Sequence, residues 1–377
     1  MTALCQRSTC PSPSPHPRPR LAVSFVVLAT LVIGACNRRA RTDPAPARPT
    51  FISIPQSSGT TALLQAVSVV DSEVVWVSGH QGTYARTTDG GATWHAAVVP
   101  GADSLQFRDV HAVDANTAYL MSAGNGELSR IYKTTDGGAN WQLQFTSHEP
   151  KAFYDCMAFW DPDHGIAMSD EVGGRFPIIA TDDGGRSWKP VSPSALPPAL
   201  PGEGSFAASG SCVATRAPGH AWIGTGNSSA ARVLRTADRG RTWSVATTPL
   251  PSAEGVGLAS VAFRDDLHGV AMGGSMLDTS ARVDDIAITS DGGRSWTTVG
   301  RAPIASAIYG GSYVPGTRAP TLVAVGPGGA AASFDEGRSW VTVDTTAYWA
   351  VAFASPSAGW AVGPRGRIKR LALVSGR

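Results

Sequence analysis

Charged residues make up only 16% of this 377-residue chain, and the two signs nearly cancel to a formal +2. That excludes the basic face that a nucleic-acid binder needs. Even this small excess is local, because the first 35 residues hold Arg7, Arg18 and Arg20 and no acid. The strongest apolar run, 21–33, falls short of the roughly 20 residues of a membrane-spanning helix. No HExxH, P-loop or GxSxG arrangement is present, and the eight His are scattered. The usual zinc-protease, nucleotide and serine-hydrolase constellations are thereby excluded, and neither a metal nor a cofactor is expected. His164 and His268 share one repeat position, in "DPDHG" and "DDLHG", which reads as a turn feature. Cysteine is sparse at five. What is abundant is Gly (42) and Pro (27), the composition of short strands and many turns.

The chain repeats itself. "TTDGGATW" at 87–94 returns as "TTDGGANW", "TDDGGRSW", "TADRGRTW", "TSDGGRSW" and "SFDEGRSW". Their acids are Asp89, Asp136, Asp183, Asp238, Asp291 and Asp335, spaced 47, 47, 55, 53 and 44 residues apart. A period near 50 marks an array of like units rather than two or three unrelated domains. Residues 106–146 show what one unit is. "FRDVHAV", "TAYLMSA", "RIYKTT" and "WQLQF" are four short strands, and the octet is the hairpin turn between the third and fourth. The chemistry of that turn is local. An Asp caps backbone N–H groups, Gly takes positive φ without steric cost, and the Trp opens the last strand. Trp94, Trp141, Trp188, Trp243, Trp296 and Trp340 are thus expected to wedge against a neighbouring sheet, each burying on the order of 200 Å².

Four antiparallel strands per repeat describe a propeller blade. Six octets do not mean six blades. After Val343, "WAVAFASPSAGWAVG" matches the opening of the fifth repeat, and three strands follow before the sequence stops. "PTFISIP" (49–55) is a lone strand able to complete that sheet. The expectation is an all-β, seven-bladed propeller over 49–377, with blades at 63–99, 106–146, 153–191, 205–247, 257–299, 305–343 and 347–371 plus 49–55. Closure by the N-terminal strand leaves no free edge.

Ahead of it, basic residues, the apolar run and Ile33-Gly34-Ala35-Cys36 resemble a bacterial lipoprotein signal. Residues 1–35 are expected to be removed and Cys36 acylated. The Pro-rich stretch 36–48 then tethers an exported, periplasm-facing domain to a membrane, with the outer one slightly favoured. Cys156 and Cys212 lie at matching places in neighbouring repeats. They are either a disulfide of an oxidising compartment or two buried thiols.

The octets resemble the Asp-box, or bacterial neuraminidase repeat. With the "F..D..G.A" strand openings, the chain is most similar to photosystem II stability/assembly factors and related secreted bacterial proteins. That resemblance implies a non-catalytic binding or assembly platform without cofactor; its expected partner is a membrane protein or complex, and the chain is expected to be a monomer. Sialidases share the box, but the arginine clamp, the Tyr–Glu pair and a "FRIP"-type stretch are not evident, and a secreted sialidase-like glycoside hydrolase is the alternative. No catalytic residue is assigned. The octets mark one face of the disc, so the loops between strands two and three mark the other. The charges on that second face are Glu127, Arg130, Asp170, Glu171, Arg175, Arg232, Asp278 and Arg282, with Asp109 and Asp155 at the starts of first strands. The expectation is either that Arg130, Arg175 and Arg232 clamp partner carboxylates, or that the rim charges merely solvate loops or pair with each other across blades.

Overall fold

The computed structural model describes residues 49–278 and 285–374. The signal and tether segments with Cys36, and Arg282, lie outside the described residues. Seven four-stranded antiparallel sheets follow one another along the chain. Blades 1 to 6 span 64–98, 107–146, 154–190, 213–247, 256–298 and 310–344. Blade 7 takes 350–374 for its inner three strands and Thr50–Ser57 for its outer one. That closing strand pairs antiparallel with Arg367–Val374, from Thr50↔Val374 to Ser57↔Arg367. The first strand of blade 1, Leu64–Val69, lies against the first strands of both blade 2 and blade 7, so the array is a closed ring. Among the described residues only two 3₁₀ turns interrupt the β structure.

The second strand of six blades is buried from end to end, as in Val75–Gly79 and Ala118–Ser122, and that of blade 4 in all but His220, because both faces meet neighbouring blades. The core is accordingly divided into clusters between blades. One joins Val75, Val77 and Trp94 of blade 1 to Ala350, Trp360 and Ile368 of blade 7. Gln56 on the closing strand fastens this seam. Its Oε1 accepts the indole N–H of Trp94 and of Trp360, each at 3.1 Å, and its Nε2 donates to Gly90 O at 3.2 Å.

Each octet carries the same hydrogen bonds. In the first, Thr87 Oγ1 donates to Asp89 Oδ1 (2.7 Å) and accepts the Gly91 N–H (2.9 Å). Thr93 donates its N–H to Asp89 Oδ1 and its hydroxyl to Oδ2. The set recurs around Asp136, Asp183, Asp238, Asp291 and Asp335. The turn then docks on the preceding blade: Tyr84 Oη donates to Gly138 O, Tyr119 Oη to Gly184 O, and Trp222 Nε1 to Gly292 O. The Trp follows. Trp141 packs on Trp76 and Tyr84 of blade 1, and Trp188 on Phe159 at the seam with blade 2.

Where the first Gly of an octet is replaced, by Arg239 and Glu336, the residue keeps the left-handed conformation (φ 59° and 61°). Both side chains pair with the preceding blade, Arg239 with Asp161 and Glu336 with Arg264.

Two blade starts differ from the sequence reading: blade 6 begins at Gly310 rather than 305, and the larger difference is at blade 4. Residues 205–211 do not begin the fourth blade, whose first strand is Val213–Arg216. They leave the blade pattern and enter the ring axis. Their C-terminal neighbour Cys212 is disulfide-bonded to Cys156 on the first strand of blade 3, with Cα atoms 6.0 Å apart. Of the two readings left open for these cysteines, the structure has the disulfide.

Candidate binding face at the propeller axis

The first strands of blades 1, 2, 3 and 5 all break register just after their start, at Leu64/Ala66, Phe107/Asp109, Tyr154/Cys156 and Leu258/Ser260. Each break is a bulge, which re-aims one side chain. The residues at the bulges are Gln65, Arg108, Asp155 and Ala259. Three of the four are polar, and they sit at the axial end of the face bearing the loops between strands two and three.

The segment from the blade 3–4 connection is laced to them. Gln65 Nε2 donates to Ala207 O at 2.7 Å, and the Ala207 N–H bonds to Asp155. Ser205 N donates to Asp170 Oδ1 at 3.1 Å, and Ser209 Oγ to Tyr309 O at 2.7 Å. Ser211 Oγ bonds Ser260 Oγ across to blade 5. Gly210, at φ +73°, lies so close to Asp109 that a Cβ there would sit 2.2 Å from Oδ1. Residues 205–211 therefore plug the ring. Below the plug, on the octet side, a cavity of about 730 Å³ is walled by first strands of all seven blades, with Asp109 and Gly210 among its lining. Above it is a smaller cup of about 330 Å³, lined by Leu63, His80, Arg108, Phe206, Tyr309 and Trp349 among others.

The cup is aromatic and carries one guanidinium. Tyr309 and Trp349 meet edge to face with centroids 5.4 Å apart. Arg108 Nε and Nη2 both donate to Gln106 Oε1, a neutral acceptor, and the guanidinium lies over the Phe153 ring. Because Gln65 spends its amide N–H on Ala207 O, its Oε1 must accept, so His80 Nε2 carries the proton of their 2.7 Å bond. Burial, then the charge of Arg108, holds the His80 pKa below its ordinary value.

The carboxyls beneath are unusual. Asp155 is 1% exposed, and its Oδ2 has no hydrogen-bond partner among the described residues. Burial, then the charge and hydrogen bond of Asp170, push its pKa well above the carboxylate range. Asp170 is pushed up to about 6 by burial, and Asp109 to about 8 by burial against the N–H bonds of Met157 and Val110. Two carboxyls that bond to each other share a proton rather than both ionise.

The other expected rim residues divide. Arg232 is not available to clamp a partner. It is buried, and its Nε and Nη2 bond both oxygens of Glu203, itself fully buried, while Nη2 also reaches Pro198 O. This pair fixes the start of the axial segment. Asp109 and Asp155, expected to look into the channel, are buried at the axis beside the plug, and Asp109 lines the cavity there. Arg130 bonds Glu127 O, Glu127 lies 3.7 Å from His148, and Glu171 Oε2 accepts Gly174 N. Glu127 and Arg175 are exposed, and Asp278 N bonds Ser275 Oγ on blade 5. Sequence reasoning missed Gln65, His80, Arg108, Phe206, Tyr309 and Trp349. A signal for two of them was present, since Gln65 and Arg108 occupy the place after the apolar opener of strand one, where Asp155 stands in blade 3.

No protein-family model matches the chain, and no curated protein matches its sequence significantly. Solved structures do match in fold. YCF48 bound to a D1 peptide aligns with a TM-score of 0.58 at 18% identity, covering 87% of this chain and 99% of that one. The chain has the fold of YCF48. A second structure, YCF48 from Cyanidioschyzon merolae, gives 0.60 at 16%, over 86% and 99%. The GH74 enzyme of Niastella koreensis gives 0.54 at 14%, over 76% of this chain and 47% of that one. Such identities speak to architecture alone.

Proposed function

We propose that this propeller is a binding or assembly scaffold that holds an extended segment of a membrane protein or complex against the face opposite the octets. In this reading the octets are Asp-box turns, Cys36 carries the lipid, and the disc faces the periplasm on its tether. The observation that carries the reading is the axial cup, in which partly exposed Phe206, Tyr309 and Trp349 surround Arg108. Aromatic and arginine side chains gathered at a concave centre are what protein interfaces use as anchors. YCF48, of the same fold, has been solved with a peptide bound. Exposed Glu127 and Arg175 and the neighbouring loop charges form the polar rim that orients the segment.

The test is affinity capture from solubilised membranes with the full chain and with Trp349→Ala, Arg108→Gln and the octet-face change Arg186→Glu. Loss of one discrete partner at least tenfold in the first two variants, and not in the third, is expected. Equal capture by all three variants contradicts the reading. The GH74 neighbour keeps a glycan-hydrolase reading in view. Turnover of fluorogenic sialosides or other glycosides by the purified chain would favour it over a scaffold.

A further inference from the structure

The axial segment bonds neutral groups through Gln65, Gly224 O, Tyr309 O and Ser260, and it also rests on three acids. Asp170 accepts the Ser205 N–H, Asp155 the Ala207 N–H, and Asp109 packs on Gly210. The same segment separates the cup above from the cavity below. Its two ends are fastened differently from its middle: the start by the Glu203–Arg232 pair with Thr225 Oγ1 and Leu200 N, the finish by the Cys156–Cys212 disulfide beside Asp155. We infer that residues 205–211 form a proton-latched plug, closed while the three acids beneath it are protonated and swinging from its fastened ends when they ionise. Opening joins the cavity on the octet side to the cup, and it removes Phe206–Ala208 from the cup wall, so the state of the latch sets the shape of the face described above. The latch itself does not depend on what that face binds.

The physical case is geometric. Three carboxyls, on the first strands of blades 2 and 3 and at the end of the second strand of blade 3, converge on one irregular segment. The charges facing them are Arg108 of blade 2, stacked on Phe153, and Glu171, which adds like charge to Asp170. Arg232 is paired with Glu203, and burial, then the charge of Arg108, holds the His80 pKa below its ordinary value. The cavity below, which Asp109 lines, also holds His111, Arg318, and Arg216 and Arg264 paired with Asp266 and Glu336, and Asp155 Oδ2 has no hydrogen-bond partner among the described residues. The sign follows from linkage. An acid whose pKa is higher in the closed state binds more protons there. Closure is therefore fully stable below the ordinary carboxylate value, and it weakens as pH rises towards the raised values near 6 and 8.

Hydrogen exchange of the full-length protein, read by peptide mass spectrometry, tests this directly. After correction for the intrinsic rate, exchange of 205–211 should rise at least about tenfold from about pH 5.5 to about pH 8.5, while the octet turns change less than about twofold. Asp155→Asn and Asp109→Asn keep the size of each side chain and remove its ionisation. Combined, they should cut the rise several-fold, leaving only the contribution of Asp170. Asp170→Asn, which retains an acceptor for Ser205, is the second variant should the pair fail to fold. A wild-type segment equally protected at both pH values, or a rise undiminished in the variants, overturns the latch.

Discussion

The octet turns and the ring axis hold aspartates in opposite ways. At the perimeter, Asp89 is solvent-exposed and accepts the hydroxyl of Thr93, the Thr93 N–H and the Thr87 hydroxyl, which hold its pKa down at about 2. Asp183 is held at about 2 by the same arrangement from Ser187. At the axis, Asp109 and Asp170 are enclosed, and burial drives them up to about 8 and about 6. The lesson concerns donors. A carboxylate given donors by its own turn stays charged and serves as a staple, whereas one enclosed at the axis has its pKa driven up by burial. The perimeter repeats the staple in six blades, where the octet docks on the blade before it, and blade 7 packs on blade 6 without one. The axis does not repeat, because a single insertion, fitted to a few blades, fills it.

The comparison breaks most visibly at Glu203. Glu203→Ala leaves the Arg232 guanidinium buried without its partner, and should cost about 3–5 kcal/mol in urea-monitored unfolding. No single octet acid should approach that. Next comes Gly138→Ala. Its φ is 93°, and an added Cβ would lie 2.6 Å from Tyr84 Oη, so a loss of about 1–3 kcal/mol is expected in the same assay. The same change at Gly101, also at positive φ but with nothing within 4 Å, should cost less, which separates docking from backbone strain. The smallest effect is expected from pH at the perimeter. Depressed acids contribute stability that is present above the ordinary carboxylate range and lost as pH falls towards about 2. Solvent screening keeps this contribution small. Asp89→Asn should therefore shift only the acid limb of the stability profile, opposite in sign to changes at Asp109.

What was legible in the sequence follows the same division. The octets, the four-strand unit, the seventh blade without an octet and its completion by the strand at 50–57 all rest on local patterns that repeat, and the structure has them. The axis was not legible. Residues 205–211 sit where a fourth-blade strand was expected, and only the ring brings Gln65, Asp155 and Tyr309, far apart in the chain, onto that segment. Arg232 looked like a loop charge because its partner Glu203 lies 29 residues away inside the insertion. Arg108 is one letter in a strand opener, and its role appears only once the bulge turns it to the axis.

The central claim is that the face around the axial cup, and not the octet face, meets the partner. Photo-crosslinking from single positions in the full chain, in its native cells, tests it most directly. Leu128 and Leu277 are exposed on the loops of the cup face, and Leu267 is exposed at the opposite end of blade 5. A crosslinker at Leu128 or Leu277 should give a discrete adduct with a membrane protein, lost on Trp349→Ala, and one at Leu267 should give none. An adduct from Leu267 alone, or one indifferent to Trp349, would contradict the account.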